Sequence, residues 1–222
     1  MIQAATLKFL EDLKKNNVKE WFDDNRKAYE LARANFLDFS QKLIDGISAF
    51  DQDIAVANLV AKNCMSRINR DIRFSKDKSP YKTNFFLIVN AGGKKGNHAG
   101  YYFQLEPGAS FVGGGAYMPM PEDLQKFRQE IEYNFTEWQK LVSAGPFLKT
   151  YANGIQSPET LSRAPKGFEE NSPAIEYLKM KGYYAVTNLS DQALVSEKSL
   201  ADITSSLETV QPLVAFLNHA FV

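Results

Sequence analysis

At 222 residues, 44% of them apolar and 23% charged, the chain can bury a substantial core and has the composition of a globular domain rather than a fibre or a disordered tail. Twenty-six Lys and Arg balance twenty-six Asp and Glu, which excludes a globally basic nucleic-acid binder and a polyacidic tail. One cysteine, Cys64, excludes an internal disulfide, and two histidines are too few for a histidine-rich metal site. No apolar run approaches the ~18–20 residues of a membrane helix, and the first seventeen residues mix charge with apolar positions instead of forming a signal-peptide core. A reduced, cytoplasmic protein with no membrane partner is the expectation.

The first fifty residues read as two helices. Leu7, Leu10 and Leu13, with Phe9, fall at helical spacing and end at Asn16 and Asn17. A second helix starts near Trp21 and carries Phe22, Tyr29, Ala32, Phe36, Phe39, Leu43 and Ile47 on one stripe, closing around Gly46 and Phe50. Aromatic residues on such a stripe are core residues before they are ligand contacts.

From about Val56 to Tyr117 the pattern turns to strands. Residues 84–90 form a short apolar run, as expected of a strand covered on both faces. A glycine-rich turn at 92–96 leads to a strand over 100–106, where Tyr101, Phe103 and Leu105 point one way and Tyr102, Gln104 and Glu106 the other. Pro107 and Gly108 turn the chain into a third strand over 110–117, and turns this short favour an antiparallel meander. Gly113 to Gly115 predict a bulge or a close backbone approach.

Pro121 suits the first turn of a helix bearing Leu124, Phe127, Arg128, Ile131 and Phe135. Pro146, Asn153, Gly154, Pro158 and Pro165 mark irregular chain, a short helix is expected over 172–179, and a last strand over 182–187. A C-terminal helix from about Leu200 presents Ile203, Leu207, Val210, Leu213, Val214 and Leu217, with Pro212 expected to kink or interrupt it. The expected fold is a single α+β domain over 1–222, a mostly antiparallel central sheet flanked by helices from the N-terminus, the middle and the C-terminus.

One segment departs from this background. Residues 67–82 hold six basic and two acidic residues, leaving twenty basic against twenty-four acidic elsewhere. A strand over 64–74 would place Arg70 on the apolar side with Ile68, Ile72 and Phe74, and Arg67, Asn69, Asp71 and Arg73 opposite. A buried guanidinium keeps its charge and needs a carboxylate or a bound anion. Residues 75–80 read as a turn that sets Lys76, Lys78, Tyr81 and Lys82 against the sheet. Three readings fit: a solvated edge strand, an internal Arg–Asp network pinning the loop, or a pocket for a phosphate or carboxylate.

The strings NVKEWF at 17–22, RINRDIRFSKDKSPYKT at 67–83, GYYF from Gly100, the glycines at 113–115 and Pro165-Lys166-Gly167 strongly resemble the bacterial and fungal family known as domain of unknown function 2461, nearly end to end from Phe9 to about Leu217. The resemblance implies one full-length domain and marks 67–83 as the signature. It implies no catalytic residue, substrate or cofactor.

Established catalytic motifs do not occur. There is no P-loop, Gly113 to Gly115 lack the GxGxxG spacing, His98 and His219 read as surface residues, and Cys64 has no histidine near it in sequence. The sequence leaves three hypotheses. In the first, a cleft binds a phosphorylated metabolite or nucleotide through Arg67, Arg70, Arg73, Lys76, Lys78 and Lys82, with Asp71 or Asp77 as orienting group or base and Tyr81 as donor. In the second, the segment is an ion-pair scaffold and function lies with a protein partner. In the third, Lys94 and Lys95 join the segment in gripping nucleic acid while Tyr101, Tyr102 and Phe103 stack on bases.

Overall fold

The computed structural model describes residues 1–93 and 96–222. Helix α1 (Ala4–Lys15) ends where Asn16 accepts no further turn, and buries Leu7, Phe9, Leu10 and Leu13. The aromatic stripe that follows is carried by two helices, α2 (Lys19–Asp24) and α3 (Arg26–Ser48). The break falls at Asn25, whose side-chain amide donates back to the Trp21 carbonyl at 2.9 Å, the local competition that disfavours Asn inside helices. Short helices α4 (Gln52–Ala57) and α5 (Ala61–Cys64) follow. Asp51 caps α4, accepting from the backbone N–H groups of Asp53 and Ile54.

Strands β1 (Phe85–Val89), β2 (Gly100–Leu105), β3 (Ser110–Ala116) and β4 (Tyr183–Leu189) form one antiparallel sheet in chain order. Between β3 and β4 lie α6 (Pro121–Tyr133), α7 (Phe135–Val142), α8 (Gly145–Thr150) and α9 (Ile175–Leu178). After β4 come α10 (Asp191–Leu194) and α11 (Ser199–His219). The α+β expectation holds, with details corrected. Phe135 begins a new helix because α6 stops at Asn134, whose amide bonds the Glu130 carboxylate. Pro212 does not interrupt α11. It removes the N–H that would reach the Glu208 carbonyl, but Glu208 and Pro212 are both exposed, so water can satisfy that carbonyl.

One face of the sheet is packed against α3 and α11. Phe85, Leu87, Val89, Tyr101, Phe103, Leu105, Val112, Tyr183 and Ala185 are all buried on it. Phe36 and Phe39 of α3 meet Phe103 at ring separations of 5.7 and 5.6 Å. The glycine run makes this packing possible. A Cβ at Gly114 would lie 2.9 Å from a Val210 methyl of α11, while Cβ atoms at Gly113 and Gly115 would lie 2.0 and 2.2 Å from carbonyl oxygens of β4. Close backbone approach is therefore the reason for the run. Among the described residues no helix is laid across the other face, so β1 is not covered on both sides: Phe86 and Ile88 are half-buried where Phe85, Leu87 and Val89 are fully buried.

The strand expected over 64–74 is absent. Cys64 closes α5, and the chain beyond it makes only isolated bridges, Met65 with Leu87 and Asn69 with Tyr81. Burial follows the expected alternation as far as Arg73, with Ile68, Arg70 and Ile72 more buried than Arg67, Asn69, Asp71 and Arg73, and fails at Phe74, which is 94% exposed. Side chains that bond their own backbone explain the departure: Asp71 accepts from the Arg73 N–H at 3.3 Å and Asp77 from the Ser79 N–H at 2.9 Å, each bending the chain into a turn.

Candidate functional site

Two regions compete, the charged segment and the uncovered sheet face. In the first, 68–70 and 80–82 run alongside each other, with Arg70 N–H donating to the Pro80 carbonyl and Lys82 N–H to the Ile68 carbonyl at 2.9 and 2.8 Å. Asn17, at the end of α1, clamps this pair from 64 residues away in the chain. Its amide donates to the Tyr81 carbonyl at 2.9 Å and its oxygen accepts from the Tyr81 N–H at 3.1 Å. The buried Tyr81 ring lies on Phe22 at 4.0 Å, nearly parallel. These contacts join the NVKEWF string of α2 to the charged signature.

At least three of the six cations of the signature find partners inside it. Arg70 donates to Asp77, and Arg73 makes a two-point contact with Asp71 at 2.9 and 2.7 Å. Lys78 donates to the Ile72 carbonyl at 3.0 Å. The Ser79 hydroxyl first, then the Arg70 guanidinium and the Ser79 N–H, hold the Asp77 carboxyl well below the usual carboxylate range, and hydrogen bonds from Arg73 lower the Asp71 carboxyl. Burial raises the Tyr81 hydroxyl. Arg67, Arg73, Lys76 and Lys78 are exposed, while Arg70 is half-buried. Of the six basic side chains expected to converge, Lys82 is the one that lines the cleft on the open sheet face.

That cleft, about 870 Å³, lies on the uncovered sheet face. Its floor follows from register. Phe86 opposes Gln104, Ile88 opposes Tyr102, Tyr102 opposes Gly113, and Gly113 opposes Val186, so all point to the side away from α3 and α11. Phe86 sits 6.2 Å from the rings of both Tyr102 and Phe111, stacked on the first and edge-on to the second. The Tyr102 hydroxyl donates to the Gly115 carbonyl, and burial pushes this phenol up to about 12. Tyr184 and Tyr117 make an edge-to-face pair at 5.2 Å, and Met118 and Pro119 extend that wall. Polar groups are few: Lys82, Asn84, Asn90, His98 and Gln104. His98 is not the plain surface residue expected. It is half-buried, its ring is 4.9 Å from Phe221, and its Nδ1 is buried with no hydrogen-bond partner among the described residues.

Sequence reasoning singled out Tyr102 but missed Phe86, Phe111, Tyr184 and Val186 as a common surface. The signal was the second phase of each strand, apolar in β1 as much as the first, which reads as double coverage. The stacking trio does not hold together: Tyr101 and Phe103 are 1% exposed and face the helices, and only Tyr102 faces outward. Lys94 and Lys95 lie outside the described residues. Tyr101 instead donates to the Asp51 carboxylate beneath the sheet, and burial drives its phenol far up.

The family described as "Conserved hypothetical protein (DUF2461)" matches residues 5–216. No curated protein and no solved structure matches the chain. Among the described residues no helix is long and apolar enough to cross a membrane, and no group of three or more His, Cys, Asp or Glu is placed to hold a metal ion.

Proposed function

We propose that this chain, which belongs to the DUF2461 family, binds a small, flat, negatively charged molecule, a nucleotide or phosphorylated aromatic metabolite, on the uncovered face of its sheet. The observation that carries this reading is the aromatic floor of Phe86, Tyr102 and Phe111 left without a covering helix. Rings in offset or edge-on contact offer a π-surface for another ring, and a mostly apolar cleft of about 870 Å³ with a few polar groups has the character of a ligand pocket. Lys82 at the rim supplies a cation for the anionic group. His98 adds a polar side chain to the lining of the same cleft.

In this reading the other members of the signature brace the fold. Arg70 with Asp77 and Arg73 with Asp71 form the internal network, and Asp71, Asp77 and Tyr81 serve that network rather than chemistry.

Calorimetric titration with adenosine, AMP and ATP, followed by a wider set of phosphorylated aromatic metabolites, tests the proposal. Binding of a phosphorylated compound is expected, weakened at least roughly tenfold by Phe111→Ala, the scale of one lost stacking contact. Lys82→Ala should narrow the preference for the phosphorylated form over the nucleoside. No heat from any compound, or binding indifferent to Phe111→Ala, refutes the reading.

A further inference from the structure

The signature contains an element that neither the internal network nor the cleft explains. Ser75 N–H closes a turn onto the Ile72 carbonyl at 3.4 Å, which puts Arg73 and Phe74 at its apex. The Phe74 ring is 94% exposed. It is not loose: the Arg73 guanidinium sits 5.8 Å from its centroid, and the same guanidinium is held by Asp71. Lys78 is drawn in beside it through the Ile72 carbonyl. Over 71–79 Arg73, Lys76 and Lys78 stand against Asp71 and Asp77, a net charge of +1, and the exposed Arg67 adds one more positive charge, so the surface around the protruding ring is weakly positive.

We infer that the 71–79 turn is a peripheral anchor for an anionic lipid surface, with Phe74 entering the interface and the surrounding cations meeting headgroup phosphates and carboxylates. Single exposed apolar residues are ordinary on protein surfaces; a braced one at the tip of a basic turn is a different arrangement. Shape and charge select the partner. A convex apex cannot enclose a nucleic-acid strand, which is gripped in grooves by several aromatic side chains. A bilayer interface yields to a protruding ring and rewards several cations at once, through apolar burial added to electrostatic attraction. Because the ring lies outside the cleft, this inference stands or falls independently of the ligand proposed there.

Cosedimentation of the full chain with phosphatidylcholine vesicles, with and without roughly one third phosphatidylserine, tests it. Binding to the anionic vesicles is expected, weak and reversible, and lost when salt shortens the Debye length to roughly 3–4 Å. Phe74→Ser should lower the bound fraction by roughly threefold or more, with an unchanged melting temperature, since the ring buries almost nothing. Lys76→Glu, at an exposed site, should act in the same direction. Phe74→Trp should show an emission blue shift when anionic vesicles are added. Absence of binding to anionic vesicles, equal binding to neutral ones, a Phe74→Ser variant that binds like wild type, or binding of polyuridylate in place of vesicles would each overturn the inference.

Discussion

Replacing Asn17 by alanine isolates what fastens the charged signature to the rest of the fold. The Asn17 amide makes two hydrogen bonds with the backbone of Tyr81, one to each polar group of that residue, at 2.9 and 3.1 Å. Tyr81 is buried under Phe22, so its N–H and C=O have little water to turn to once the amide is gone. A buried group left without a partner costs about 1–3 kcal/mol. Two such groups, partly relaxed by the small hole that alanine leaves, give a loss of about 2–4 kcal/mol. For a chain of this length that corresponds to a melting temperature lower by roughly 4–16 °C. Urea unfolding followed by far-ultraviolet circular dichroism measures the free energy, and differential scanning calorimetry the temperature. Arg70→Ala is the comparison, because its ion pair with Asp77 lies where water screens it, and it should shift the transition far less. If Asn17→Ala unfolds like wild type while Arg70→Ala falls sharply, the ion pairs rather than the amide clamp hold the segment, and the reasoning fails.

Two further predictions concern the sheet and its packing. Tyr101, Tyr102, Tyr151 and Tyr183 all have phenols raised above the ordinary value of 10.0, burial being the largest cause in each. Above pH 10 the unfolded chain releases these protons and the folded chain keeps them, so stability is flat below that pH and falls above it, by up to about 5 kcal/mol per pH unit for four groups. Urea midpoints measured from neutral to strongly alkaline pH, beside an ultraviolet tyrosinate titration, check this; four phenols ionising normally in the folded protein would contradict it. In the glycine run, Gly114→Ala should cost about 1–3 kcal/mol by overpacking against Val210, and Val210→Ala in the same chain should restore part of it. Gly115→Ala should cost more, with no rescue from α11, because φ is +124° and the obstacle 2.2 Å away is the Tyr183 carbonyl. Thermal melts of the three variants rank them.

Much of the architecture is a local property of the chain. The stripe from Phe22 to Ile47, the alternation of Tyr101, Phe103 and Leu105, and the short turns between strands state helix, strand and antiparallel order, because helix and strand periods are written in neighbouring residues. The same reading identified 67–82 as distinctive, since charge surplus is a matter of counting. Tertiary structure alone decided what that charge does. Whether Arg70 faces a ligand or Asp77 depends on side chains whose turns compete with strand geometry, and period-2 logic has no term for a backbone bent by its own aspartates. Nor could the sequence say which face of the sheet stays open. β1 is apolar in both phases, and only the placement of α3 and α11, brought from opposite ends of the chain, leaves Phe86 and Phe111 uncovered. Contacts between distant segments choose the buried face and so the site, whereas the elements carrying it are set by residues a few positions apart.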